Sequence, residues 1–431
     1  MGWLICFAFI ILFFILINNL SFFSTESVSK TWINLALGLK ILAGFTLVWI
    51  YTGYYSNRSE ADIFKYYDDA LVLNEILDNG FSEYAKVISG IGEVDGSTND
   101  IIAKTRFWDK SPSISFLNDN RLIIKFNAIV ALFSLNNIYL HMVIAGFLAF
   151  IGLFFLFKTF QSFTIGKERL LFLALFVTPS VLLWSSGILK ESFMILGLGG
   201  LSYFTLKNRS RQFYLYSLFM MLLFSWVLIA SKLYLLLVFI PPIVSYYWSK
   251  DKIDGKNVLR YAVINILFVS LLLSSSYLFQ KINIVEMLIQ KQYEFKCLTE
   301  WIGAGSAVFI PDLQNNLISF IVATPYALYN TLFRPGIFDI NNGLMLLAAF
   351  ELLVIILFIL ISISFRKRKN INVNFVLFCL NFSLLLSLLI GWTTPVLGAI
   401  VRYRIPIIIF VLVMAIHVLD KEKMVKLRSN F

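Results

Sequence analysis

Apolar runs of 15 to 22 residues recur along almost the whole of this 431-residue chain. A run of about 20 such residues matches the hydrocarbon thickness of a bilayer. Only helices let a run of that kind satisfy its backbone polar groups in lipid. The chain is therefore expected to be all-α, a polytopic transmembrane helical bundle. Its mean hydropathy of +0.81 and its 43 Phe agree with that class, since a soluble core needs no such series of unbroken runs.

The runs predict about 11 spans, near 3–20, 34–54, 139–158, 170–184, 188–206, 212–231, 233–248, 260–279, 343–364, 372–391 and 400–419. Two further stretches, 122–135 with Lys125 and 316–332 with Pro325, read as interfacial or re-entrant helices. With the N-terminus outside, 19 of the 36 basic residues fall in inside loops, while the short outside loops hold only Lys190, Lys232, Arg402 and Arg404. Membrane topology favours that bias. It accounts for the net charge of +11 without nucleic acid. The C-terminus is then cytoplasmic. The start, Met1-Gly-Trp-Leu, lacks the basic region of a signal peptide and reads as a retained span.

The chain reads as one integral-membrane domain, 1–431, with two large outer loops at 56–138 and 280–342. Between Ser56 and Asn120 lie 12 of the 25 acidic residues. A spanning bundle gains nothing from such a segment, so it reads as a working region at the membrane surface. From Phe64 to Leu77 apolar residues recur at helical spacing, as in an amphipathic helix lying on the surface.

Candidate site residues follow from charges that the membrane does not explain. Asp62 lies just past the second span with Glu60 close by, where a carboxylate can act as a general base for a hydroxyl or help to hold a divalent cation; a solvated helix start explains it equally simply. Trp184-Ser-Ser-Gly-Ile-Leu-Lys190-Glu191 joins two spans and carries an ionisable pair into the second of them. Such residues usually face a polar cavity or each other. Arg402-Tyr-Arg404-Ile-Pro406 sets two arginines against the outside charge bias, and guanidinium groups match phosphate oxygens in pairs. Arg334-Pro335-Gly336 ends the second loop, and Arg334 could add a cation there or belong to an ordinary turn. Tyr66 and Tyr67 follow Asp62 one helical turn on.

Other chemistries leave no trace. Three cysteines give no disulfide framework, and two histidines far apart give no metal site by spacing. No phosphate-binding lysine loop, dinucleotide glycine fingerprint, zinc-protease helix or serine elbow is present.

The combination Asp-x-x-x-Tyr-Tyr-x-x-Ala from Asp62, Pro179-Ser-x-x-x-Trp-Ser-Ser-Gly-x-x-Lys-Glu, Phe333-Arg-Pro and Arg402-Tyr-Arg-Ile-Pro resembles bacterial GT-C integral-membrane glycosyltransferases, the dolichyl-phosphate-mannose–protein mannosyltransferase-like group. The likeness covers most of the chain in layout. It implies a polyprenyl-phosphate-linked sugar as donor, a glycan, lipid or protein acceptor, and transfer on the outer face. It implies that Asp62 is the catalytic acid of the first loop, and that Arg402 and Arg404 meet the donor phosphate. The family usually has one span before that loop, whereas two are expected here. No cofactor is required, and a divalent cation is compatible with the chemistry. The alternatives are an O-antigen or exopolysaccharide polymerase or ligase, and a carrier of lipid-linked saccharides.

Overall fold

The computed structural model describes residues 1–54, 58, 61–108, 120–207, 214–250, 252, 255–278, 283–367, 371–421 and 423. Among these residues the fold is all-helical and contains no strand. Two isolated bridges, Ala307 with Val396 and Arg366 with Leu419, are the only extended pairings there.

Among the described residues six helices are long and apolar enough to cross a membrane: Gly2–Asn19, Lys30–Gly53, Ile138–Phe163, Tyr214–Ser249, Gly343–Ser364 and Val373–Thr393. A seventh span results if Leu397–Tyr403 and Ile405–Val418, bent by 53°, count together. The expected count of about eleven is higher, for local reasons. The run at 170–184 splits into Glu168–Phe176 and Pro179–Trp184, because proline disfavours helix in the residue before it. The runs at 212–231 and 233–248 form one 36-residue element, broken at Lys232 by φ −156° and ψ 75°. Lys190–Leu206 and Asn257–Leu273 are 17 residues each, near the lower limit for a span.

The contacts divide the chain into two compact units. The first comprises Met1–Thr159, Leu175–Val177 and Val181–Leu236; the second comprises Phe160–Ala174, Thr178–Ser180 and Leu237–Phe431.

In the first unit Ile138–Phe160 is the central helix, with Phe147, Phe150 and Phe154 buried. Phe13 stacks on Phe147 with ring centroids 3.9 Å apart. Glycine lets this helix meet Lys190–Leu206 closely. A Cβ on Gly199 would fall 2.0 Å from the Gly152 carbonyl oxygen. Small residues at a crossing allow such contact between membrane helices.

The first polar loop of the same unit is folded. It forms Asp62–Asn74, a 3-10 turn Glu75–Asn79, Phe81–Ser89 and Gly96–Lys104, followed by Asn120–Ser134. Asp62–Asn74 buries Ile63, Phe64, Tyr66, Tyr67, Ala70 and Leu73 and packs against Asn120–Ser134. Asp69 ties down the chain that follows. Its carboxylate accepts the backbone N–H groups of Arg106, Phe107 and Trp108 at 2.7 to 3.0 Å.

In the second unit Val373–Thr393 is flanked by Leu317–Phe333 and Ile405–Val418. One end of the unit is latched by Lys167. Its ammonium donates to the carbonyls of Ile416, His417 and Leu419, the orphan acceptors at a helix C-terminus. His417 donates from Nδ1 to the Phe163 carbonyl and accepts the Asn372 N–H at Nε2, which fixes its tautomer.

Candidate functional site

Two groups of polar side chains stand out, one in each unit. In the first, Asp62 opens the helix Asp62–Asn74, where a carboxylate suits the helix dipole. It is about a third exposed, and Lys65 Nζ lies 3.4 Å away. One helical turn on, Tyr66 is buried, and Lys190 Nζ sits 5.4 Å from its ring centroid. Lys190 and Glu191 begin the helix Lys190–Leu206 and are both buried, Glu191 completely. The folding of the loop thus brings Tyr66 to Lys190; Asp62 lies one turn before Tyr66 on the same helix, and Glu191 follows Lys190 in the chain. Trp184 ends the short helix before that turn and is half-buried. Glu60 lies outside the described residues.

Tyr67 also anchors the loop helix within the unit. Its hydroxyl donates to the Asn136 carbonyl at 2.6 Å, and its ring meets His141 edge-on at 5.1 Å. His141 is itself held at both nitrogens. Nδ1 lies 2.8 Å from Asn127 Oδ1 and Nε2 lies 2.8 Å from Ser134 Oγ. Asn127 already donates its amide to the Ile123 carbonyl, so His141 donates at Nδ1 and accepts the serine hydroxyl at Nε2. All three side chains are fully buried, and they fix the loop helix on the bundle.

Lys40, deep in the helix Lys30–Tyr54, is 1% exposed. Its ammonium donates to Ser185 Oγ at 2.8 Å and to Ser186 Oγ at 3.4 Å. Both hydroxyls donate in turn to backbone carbonyls one turn back, leaving their lone pairs for the lysine. A shallow apolar depression of about 510 Å3 beside Phe14, Thr31 and Asn34 holds none of the candidate residues.

In the second unit the arginines are not alike. Arg402, in the last turn of Leu397–Tyr403, is half-buried. Arg404 stands at the bend before Ile405–Val418 and is 2% exposed. Its Nη1 donates to the Arg334 carbonyl, while Nε and Nη2 have no hydrogen-bond partner. Arg334 is committed elsewhere. It holds the Asp339 carboxylate with two N–H groups and reaches Asn330 Oδ1 at 3.3 Å. That pairing keeps the Asp339 carboxyl below its ordinary range and the Arg334 guanidinium above its own.

Glu351, eight residues into the helix Gly343–Ser364, lies within electrostatic range of Arg404. It accepts the Ser180 hydroxyl at 2.6 Å and the Ser180 N–H at 3.1 Å, and is 7% exposed. Sequence reasoning missed Glu351, Lys40 and His141. Each is a lone ionisable residue in an apolar run, which is the signal that marks functional or paired positions in a membrane.

Among the described residues no cluster of three His, Cys, Asp or Glu side chains could hold a metal ion. No known protein family matches the chain, and no curated protein or solved structure is similar to it.

Proposed function

We propose that this chain is a membrane glycosyltransferase that moves a sugar from a polyprenyl-phosphate donor to an acceptor on the outer face of a bacterial inner membrane. The observation that carries this is Arg404, a buried guanidinium with two unengaged donors at a helix break. Burying such a charge costs several kcal/mol unless an anion completes it. A phosphate oxygen pair suits the guanidinium fork. Glu351 offsets part of the charge electrostatically while its oxygens accept the Ser180 hydroxyl and N–H.

In the proposed step the acceptor hydroxyl attacks the anomeric carbon and the bond from that carbon to the phosphate oxygen breaks. Polyprenyl phosphate leaves, and Arg404 with Arg402 stabilises the charge that grows on the phosphate. The resemblance assigns the hydroxyl proton to Asp62, a feature of the first unit. Lys190 and Glu191 position the acceptor side near Tyr66, and Trp184 contributes apolar surface to a sugar ring. Arg334 acts through its carbonyl, which orients Arg404. No cofactor is needed.

A carrier for lipid-linked saccharides is the second reading. It is favoured by Lys40 and Glu351, charges buried well inside apolar helices. Binding of polyprenyl phosphate to the protein in nanodiscs, compared with neutral polyprenol, tests the shared premise. Wild type is expected to prefer the phosphate at least tenfold, and Arg404→Gln to lose most of that preference. Equal binding of the two lipids by wild type contradicts the proposal.

A further inference from the structure

We propose that the helix Leu317–Phe333 is a re-entrant membrane helix whose outward stripe faces lipid acyl chains. It would enter and leave the bilayer on one side and carry Arg334 to the depth of Arg404. The inference rests on the second unit alone and does not depend on the enzyme reading.

The two faces of this helix differ sharply. Ala323 and Ala327 are fully buried toward Val373–Thr393. The approach is so close that a Cβ on Gly391 would lie 2.3 Å from the Ala327 carbonyl oxygen. The opposite stripe, Ile318, Val322, Tyr326, Tyr329 and Phe333, is 44 to 72% exposed at helical spacing. No charged residue occurs between Asp312 and Arg334. In water this would be an unbroken apolar strip about 25 Å long, at about 1.5 Å per residue. Helix Gly343–Ser364, in the same unit, also exposes Leu346, Leu347, Phe350 and Leu353. That helix is itself long and apolar enough to cross a membrane, so this unit carries lipid-facing helix surface of the same kind.

Hydrogen bonds fix where the two ends lie along Val373–Thr393. The segment before the helix sits at the end of that span. Gln292 donates to the carbonyls of Pro311 and Trp392, and Leu313 N–H returns to Gln292. The C-terminal end lies deeper. Thr331 donates to the Ser387 carbonyl, six residues before Thr393 and about 9 Å below the helix end. The chain then climbs back. Asn341 donates to the Gly305 carbonyl, and the adjoining Ser306 carbonyl accepts the N–H of Leu397, just past Thr393. Entry and exit therefore share a level and the turn at Arg334 is the low point. A helix lying flat on the surface would not reach Ser387, and a complete crossing would not return to Gly305.

Cysteine labelling in intact right-side-out vesicles tests this. Native Cys297, exposed on the helix Ile284–Ile302, is the positive control. In a Cys297→Ser background, Tyr329→Cys and Phe333→Cys should react with a membrane-impermeant maleimide at least tenfold more slowly than Cys297. Asn316→Cys and Asn341→Cys should both label from the Cys297 side. Labelling of Tyr329→Cys at the rate of Cys297, or of Asn341→Cys only from the opposite side, overturns the proposal. Wild type keeps the test open if the variants misfold. A phospholipid with a mid-chain diazirine should crosslink to peptides from Leu317–Phe333 as well as from Gly343–Ser364. Crosslinks confined to the latter overturn it too.

Discussion

Arg404 donates through Nη1 to the backbone carbonyl of Arg334, so one arginine is oriented by the main chain of another. The side chain of Arg334 is meanwhile spent on Asp339. The outcome is one guanidinium paired with a carboxylate and one whose Nε and Nη2 have no hydrogen-bond partner. This asymmetry separates residues that look alike in the sequence.

The Arg334–Asp339 pair should respond to acid. The folded-state pKa of Asp339 is lowered, chiefly by its hydrogen bond to Arg334. A lowered carboxylate contributes stability that is complete above its unfolded value, near 4, and is lost as pH falls through the folded value. Hydrogen exchange in Gly336–Ile340 should therefore be slow and constant from pH 7 to about 5, after correction for intrinsic rates, and faster below about pH 4. Asp339→Asn should show the fast rate at neutral pH.

Lys40 gives a test of burial. Removing its acceptors should hurt more than removing the charge. Ser185→Ala with Ser186→Ala leaves the buried Lys40 amine without its side-chain acceptors, at a cost of about 1 to 3 kcal/mol for each acceptor lost. Lys40→Met removes charge and need together and should cost under about 1.5 kcal/mol. Thermal unfolding in detergent should rank the double serine variant well below Lys40→Met, and a reversed order would refute this account of the contact.

Much of this was legible in the sequence, for a simple reason. Bilayer thickness converts composition directly into helices, so the spans at Gly2–Asn19, Gly343–Ser364 and Val373–Thr393 follow from their runs alone. The count did not follow, because local breaks at Pro179 and Lys232 decide whether two runs make one element or two. Individual charges against the topology trend were also legible. Their partners were not. Asp69 looks like its neighbour Asp68, yet it binds three backbone amides nearly forty residues away, while Asp68 pairs with Arg58 near the surface. Long-range pairing depends on tertiary contacts that no spacing rule encodes.

Asp69→Ala should therefore loosen the chain at Arg106–Trp108. Three amides lose a charged acceptor, each such bond being worth about 1.5 to 3 kcal/mol. Limited proteolysis should cleave beside these residues at least tenfold faster than in wild type. Asp68→Ala should leave the cleavage rate nearly unchanged, because its partner Arg58 is exposed.

Gly199→Ala should be among the most damaging single-methyl changes in the first unit. Its Cβ would meet the Gly152 backbone, which cannot rotate away as a side chain can. Overpacking of this kind costs typically about 1 to 3 kcal/mol, more when backbone must move. Gly38→Ala, with nothing within 4 Å of its Cβ, is the control and should unfold at or slightly above the wild-type temperature, because alanine is the better helix former.

The most direct measurement is sugar transfer from a radiolabelled polyprenyl-phosphate donor in vesicles, scored for wild type and Asp62→Asn alongside donor binding. The account predicts that the variant binds donor as wild type does and transfers at least a hundredfold more slowly. Transfer at the wild-type rate by Asp62→Asn would contradict it.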